Sequence, residues 1–461
     1  MARFERDGEF VEVWTERPAR PTGEYAWPEL VQRSGRIGQP AVPVVRELRH
    51  VFWAERDYVA EQRTLLEQGW RRVEDVDHEE VVPDEPSDPA LDAQLHADPD
   101  DRDGALIYAD WLQQREHPRG KLIAIQAARR ERPDDGELAD AERALLEIHA
   151  DAFLGPLAHA LGSDDDPPQL ELAWDLGFVR EARILGRYGE PVDLVWDVLR
   201  HPSCRFLREL VIGCVRSGDQ DNTAIAATIL HAGPRPPLRR LVLADFDDTN
   251  LDTIDISRAP IGDLRGLGAA YPMLETVILK GTGDVVLGDL ALPHVKKFAL
   301  RTSTMRKATL STILRAPWPA LEDLELWFGE IERAYGAECV VADLGPLFAR
   351  RFPRLRALRI MNSPFSDEIV DAIAGWSEAA QLATLDFSLG TLTDAGARAL
   401  VRDRAAFPKL ERLGVFECAL TAAGLALLRD AGFPVDTSAI SPAENYREPQ
   451  QKAHRYCSVN E

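Results

Sequence analysis

Cysteine is scarce in this chain. Its 461 residues hold five, Cys204, Cys214, Cys339, Cys418 and Cys457, an odd and scattered set that cannot pair completely within one molecule. No CxxC or His/Cys cluster has the spacing of a zinc site, so no metal or cofactor is expected and the usage suits a reducing cytoplasm. Long apolar runs are missing as well. Nothing approaches the roughly 18–20 residues of a membrane-spanning helix, so no membrane partner is expected. The opening "MARFERDGEF" has no apolar h-region to mark it for secretion. Lysine is absent from residues 1–73, where twelve acids meet twelve bases that are all arginine. Bases are in deficit overall, 54 Lys and Arg against 77 Asp and Glu for a net charge of −23. That balance argues against broad electrostatic binding to nucleic acid or anionic lipid. No serine sits in a nucleophile elbow and no HExxH occurs, so catalysis is not expected and no catalytic residue is assigned.

What is present is a globular composition, 45% hydrophobic and 28% charged. The length admits about two to four domains around a large core. The acidity is partly local, because residues 74–103 carry thirteen acids and one base. Within them "DPDDRDGALIYADWLQQREHPRG" (98–120) opens like a calcium loop. An EF-hand needs glycine at its sixth position and glutamate at its twelfth, but counting from Asp98 these are Asp103 and Ala109, so the register fails. The aspartates are instead expected to cap helices and solvate the turns between them.

Five segments follow from the pattern. Residues 1–75 read as a small α+β module, with strands in "RFERDGEFVEVWTE", a strand and glycine turn in "WPELVQRSGRIGQP", and a strand and helix up to "LLEQGW". "SGRIG", with the helix ending "LLEQGWRRVE", resembles the WGR domain, whose Trp-Gly-Arg signature is here Ser34, Gly35 and Arg36, followed by Gly38. Ser34 stands where the tryptophan belongs. Some WGR domains contact DNA ends, so the resemblance implies nucleic-acid association as a second reading, through Arg33, Arg36 and nearby arginines. Residues 76–97 read as an acidic linker, in which "PALDAQLHA" has the makings of a helix start. Residues 98–185 contain three helical stretches separated by "HPRG" and "PDDG". Together with "WDLGFVREARI", the stretch "ALIYADWLQQREHPRGKLIAIQ" resembles the helical repeat-companion domain of certain bacterial families. That resemblance implies a non-catalytic partner of tandem repeats.

Repeats follow from 186 to 440. "LRELVI" at 207, "LRRLVL" at 238, "LETVIL" at 274, "VKKFAL" at 295, "LEDLEL" at 321, "LRALRI" at 355, "LATLDF" at 382 and "LERLGV" at 410 share one pattern, at a mean spacing of about 29 residues. The last two units align without a gap, each running from strand to turn to "LT-x-A-G" and a helix. Lead-ins such as "AYPML", "PWPAL", "RFPRL" and "AFPKL" put a proline two residues before the strand leucine, where a helix must not continue. The units resemble the longer class of leucine-rich repeats, and the fold expected is α/β: a leucine-rich repeat solenoid preceded by a small α+β WGR-like domain and a short helical domain. Where that family places an asparagine ladder, this chain has Gly329, Ser363, Gly390 and Cys418.

A solenoid of this kind presents one curved strand face, and the variable strand positions should line it. Those positions supply Lys280, Lys296, Lys297 and Arg301, then Glu325 and Trp327, Arg359 and Met361, and Phe416. They form either a recognition strip for another protein, whose identity the sequence does not give, or an ordinary surface with one shielded tryptophan. "GTGDVVLG" (281–288) lacks the Walker lysine and reads as a repeat turn, and Cys204 in "HPSC" reads as a core cysteine. The polar tail 441–461 reads as a disordered or capping segment, or as a modification segment with Tyr456 and Cys457 as its reactive residues. The expected function is a non-catalytic scaffold in a bacterial cytoplasm. Nucleic-acid association and enzymatic modification of the tail are the alternatives.

Overall fold

In "ARFERDGEFVEVWTE" apolar and charged residues alternate, and Asp7 and Gly8 both take positive φ in the tight turn between them. The result is the antiparallel pair β1 (Ala2–Arg6) and β2 (Glu9–Glu16). With β3 (Glu29–Arg36), β4 (Pro43–Glu47) and β5 (Arg71–Val73) they form a five-stranded sheet in the order β4-β3-β2-β1-β5. One face buries Phe4, Val11, Val13 and Leu30 with Leu65 and Trp70. A computed structural model describes residues 2–16, 29–37, 43–47, 61, 64–65, 68, 70–73, 86–162, 168–185, 191–213, 222–231, 237–245, 256, 259–329 and 337–438. Gly38, linker residues 76–85, and the tail with Tyr456 and Cys457 lie outside the described residues.

Ser34, Gly35 and Arg36 do not form the expected turn. They are the end of β3, paired with Val11, Phe10 and Glu9, because β2 is long enough to hold them. The helical part also starts earlier than expected. Asp88 caps a helix at Pro89–Ala97 by accepting from the N–H groups of Ala90 and Leu91, so these residues are not linker. Further helices span Arg102–Gln113, Pro118–Glu131, Gly136–Ile148 and Ala150–Leu154. Asp101 and Asp135 cap two of them, and Asp100 pairs with Arg208. The aspartates of 98–103 thus serve helix ends and an ion pair. Gly120 lets two of these helices close, since a Cβ there would lie 2.6 Å from the Ala109 carbonyl oxygen. The hairpin of β6 (Leu170–Asp175) and β7 (Phe178–Ile184), with β8 (Glu209–Gly213) parallel to β7, completes this part.

The chain divides into two compact units, one of Met1–Ile212 with His231–Leu238 and the other of Gly213–Leu230 with Arg239–Glu461. The second unit is built on β9 (Arg240–Asp245), β10 (Thr276–Lys280), β11 (Lys297–Arg301), β12 (Asp323–Trp327), β13 (Ala357–Met361), β14 (Thr384–Asp386), β15 (Arg412–Gly414) and β16 (Val435–Asp436). All are parallel and follow chain order across a large sheet. Leu241, Val277, Phe298, Leu324, Leu358, Leu385 and Leu413 stand in register and are buried, which is why the leucine pattern marks each strand. One local geometry recurs six times at the N-terminal ends of the strands. The carbonyls of Arg239, Glu275, Lys296, Glu322, Arg356 and Ala383 each accept two N–H groups from the next unit, at 2.7–3.0 Å.

Helices in successive units are also tied together. Thr393 caps the helix Asp394–Arg402 while its own N–H and hydroxyl donate to Asp367, at 2.8 and 2.6 Å, in the helix Ser366–Ala374. Thr421 repeats this on Asp394, at 2.9 and 2.6 Å. Gly396 and Gly424 leave the room, because a Cβ at either would meet the Asp367 or Asp394 carboxylate. This accounts physically for "LT-x-A-G": threonine caps, and glycine clears the neighbouring aspartate. Asp367→Ala should therefore cost about 1–3 kcal/mol, as two part-buried donors lose their acceptor. Urea unfolding checks it, and an unchanged midpoint would remove this explanation of the motif.

Candidate functional site

The outer face of the second unit's sheet carries the predicted partner-binding residues, and the register shows what surrounds them. Lys297 stands beside Asp323. Glu325, Arg359 and Asp386 follow one another across β12, β13 and β14, and Arg412 stands on β15. Side chains close the pattern into a zigzag of ion pairs. Lys297 meets Asp323 at 3.3 Å, and Arg359 donates to Asp323 at 3.0 Å while lying 3.6 Å from Asp386. Arg412 binds Asp386 at 3.1 Å and Asp436 at 2.7 Å, and Arg301 donates to Glu325 at 2.7 Å. Gly414 makes space in the row, since a Cβ there would occupy the Asp386 carboxylate.

Electrostatics follow the geometry. Burial alone raises the Glu325 carboxyl, but Arg301, Lys297 and Arg359 outweigh it and hold the group below its ordinary value. At Asp386 burial wins, and the carboxyl is raised in spite of Ser388, Arg412 and Arg359. Asp436 is held down to about 2, chiefly by the Arg412 guanidinium and the Ser438 N–H. A carboxyl depressed on folding stabilises the protein fully above its unfolded value of 3.8 and loses that contribution as the pH falls toward about 2. Asp436→Asn should accordingly lower stability by about 0.5–1 kcal/mol near neutrality, and the difference should shrink steadily below pH 3.8. Urea unfolding of both proteins across this range checks it. A gap that persists at the acid end would assign the effect to something other than this charge.

The aromatic part of the expected strip is not surface. Trp327 is 3% exposed, Met361 1% and Glu325 3%. Trp327 and Met361 form an apolar cluster with Ala244, Ile256, Ala259 and Leu389, against which the partly buried Phe416 packs. The Trp327 Nε1–H donates to Glu325 at 2.9 Å, which satisfies the indole internally. These positions face outward on their strands, yet packing by neighbouring side chains takes them out of solvent. Lys296 remains half exposed, on Glu275 at 2.6 Å, and Lys280 lies beside Arg301 in register. The structure thus brings Lys297, Arg301, Glu325 and Arg359 together as a paired network and Trp327, Met361 and Phe416 as a cluster. It also adds Asp323, Asp386, Arg412 and Asp436, which strand patterning alone passed over. Aligning the units position by position would have found Asp323 against Lys297 and Asp386 against Arg359, whereas Arg412 and Asp436 pair diagonally, their register partners being Thr384 and Gly414.

The comparisons with known proteins give a fold. A crystal structure of a Bacteroides fragilis protein, from a structural genomics programme, is similar with a TM-score of 0.50 and 17% identity, over 100% of both chains. Identity at that level speaks for the fold alone. No protein-family model and no curated protein matches the sequence. Among the described residues no helix is long and apolar enough to cross a membrane, and no group of three or more His, Cys, Asp or Glu could hold a metal ion.

Other motifs have structural explanations. In "GTGDVVLG" the N–H groups of Gly281, Thr282 and Gly283 donate to the Arg301 and Ala259 carbonyls and the Thr304 hydroxyl, so these three glycine-turn amides do not cradle a phosphate. Cys204 is fully buried and its thiol is pushed up to about 12 by that burial, the reverse of an activated nucleophile. His201 beside it is pushed down to about 4 by burial and by Arg119, and its Nδ1 accepts the Ser203 N–H. In the first unit Glu12, 1% exposed, takes both Arg3 at 3.0 Å and Arg33 at 2.5 Å.

Proposed function

We propose that this chain is a non-catalytic protein-binding scaffold, a leucine-rich repeat solenoid carrying a WGR-like module and a repeat-companion helical domain. The observation that carries the reading is the local geometry repeated at six strand starts, with eight parallel strands in chain order. Each strand-and-helix unit buries its leucines only against its neighbours, so the stack has to be continuous, and one strand face is left for a partner. The partly exposed side chains of that face, Lys280, Lys297 and Arg301, with the half-exposed Lys296 just before β11, are the contact points, whereas Trp327 and Met361 hold the face together. Nucleic-acid association through residues 1–75 is less favoured, because Arg33 lies on Glu12. Modification at Tyr456 or Cys457 would appear as a mass change confined to residues 441–461.

Lysine-directed crosslinking during affinity purification of the full chain tests the reading. The expected result is a stoichiometric protein partner crosslinked to Lys280, Lys296 or Lys297. Purification of the chain with no protein partner, or with nucleic acid alone, would remove it.

A further inference from the structure

Two sets stand out among the bases of the second unit. On the sheet face Lys297, Arg301, Arg359 and Arg412 each meet a carboxylate. A second set gathers where the chain runs into β13 and β15, and it is not neutralised. Arg351, Arg354 and Lys409 are exposed and meet no hydrogen-bond or ion-pair partner among the described residues. The neighbouring arginines are held by carbonyl groups instead of acids. Arg315 donates to the Ser311 carbonyl at 3.2 Å, Arg350 to the Leu314 and Ala316 carbonyls, and Arg356 to the Gln381 carbonyl at 3.5 Å. Arg350 therefore sits against the end of the helix Lys307–Arg315, next to Arg315 itself. The exposed acids in the same row are Glu322, just before β12 and next to Arg356, and Glu411, just before β15 and beyond Ala383. The three unneutralised bases Arg351, Arg354 and Lys409 make this edge locally positive, in a chain whose net charge is −23.

We infer that this N-terminal edge of the parallel sheet, centred on Arg351, Arg354, Arg356 and Lys409, docks an extended acidic segment of a partner protein. The inference rests on the protein-binding reading above and moves the charged contact from the sheet face to its edge. Charge complementarity carries it, together with spacing. Arg354 and Lys409 each follow the lead-in proline of their units, in "RFPRL" and "AFPKL", and their strands β13 and β15 are separated by one other. Two strand spacings come to roughly 10 Å, which is also the span of three residues of an extended peptide. In a segment of polyproline II form, with three residues per turn and a rise of about 3.1 Å, carboxylates three apart share one side roughly 9 Å apart and would reach both cations, and the Arg354 fork can donate two N–H groups to one carboxylate. A long polyanionic nucleic acid fits less well, because it would run past these few cations over a chain whose net charge is −23, whereas a short acidic segment needs only the edge itself.

The test uses the full chain, a fluorescent peptide of ten glutamates, and a thymidine 20-mer as the competing polyanion. The Arg351→Ala/Arg354→Ala/Lys409→Ala variant should bind the peptide at least about tenfold more weakly, as three charged contacts of modest strength are lost. Its unfolding curve should match the parent's, since these side chains hold nothing in place. Arg306→Ala/Lys307→Ala, whose bases already sit on Glu338 and Asp343, should bind like the parent. Failure of the parent to bind the peptide, equal binding by the triple variant, or tighter binding of the oligonucleotide would each overturn the inference. The scaffold reading is separable. A native partner crosslinked at Lys280 or Lys297 and held equally by the triple variant would keep the scaffold and remove the edge.

Discussion

Gly329→Ala should lower the stability of the second unit by about 3–4 kcal/mol, a fall in Tm of roughly 10 °C. Gly329 has φ +84, in the left-handed region, and leads out of β12 with its N–H on the Asn362 carbonyl at 2.8 Å. An added Cβ would collide with the backbone of Ser303 in the preceding unit, at its carbonyl oxygen, carbonyl carbon and Cα. Left-handed backbone alone costs a non-glycine residue about 1–2 kcal/mol. The collision adds to this, because a fixed carbonyl between two strands has nowhere to go. Gly266→Ala separates the two causes. Gly266 has φ +89, but a Cβ there would meet nothing within 4 Å, so its substitution should cost only about 1–2 kcal/mol. Calorimetry of both variants checks the difference. Equal effects would show that backbone conformation, not the close approach of units, decides the position.

Trp327→Ala should cost about 3–5 kcal/mol, the ordinary loss on truncating a buried tryptophan. It empties the centre of the cluster of Met361, Leu389, Ala244, Ala259 and Ile256, and it removes the indole donor from Glu325. Trp327→Phe keeps most of the apolar contact and should cost nearer 1–2 kcal/mol, mainly through that lost hydrogen bond. Urea unfolding monitored by circular dichroism reads both. If Trp327 were a docking anchor, the alanine variant would instead unfold like the parent and fail only in binding.

Strand positions were legible because leucine is chosen by burial, and burial here repeats with the chain. Each "LxxLxL" match overlaps one of the strands β8 to β15, and Leu324, Leu358, Leu385 and Leu413 are the in-register layer that the pattern records. The helix caps of 88–135 were legible in part, since an aspartate before a helix acts within three residues. The site was harder. Asp323 and Arg359 are 36 residues apart, and Arg412 and Asp386 are 26 apart, so no local window shows them as partners. Trp327 reads as outward-facing from strand alternation, and so it is. Ala244 of β9, with Ile256, Ala259 and Leu389 from outside the strands, closes over it. Ser34 to Arg36 was misplaced for a related reason: glycine suggests a turn, whereas pairing with β2 extends the strand through it.

The zigzag on the sheet face sets how a partner can arrive there. Lys297, Arg301, Arg359 and Arg412 stand against Asp323, Glu325, Asp386 and Asp436, and signs that alternate every strand cancel within a screening length of about 8 Å. Such a surface casts almost no field into solution. Encounters on it proceed unsteered, at about 10⁵–10⁶ M⁻¹s⁻¹, and with little dependence on salt. Discrimination between visitors to that face must then reside in how slowly the right one leaves.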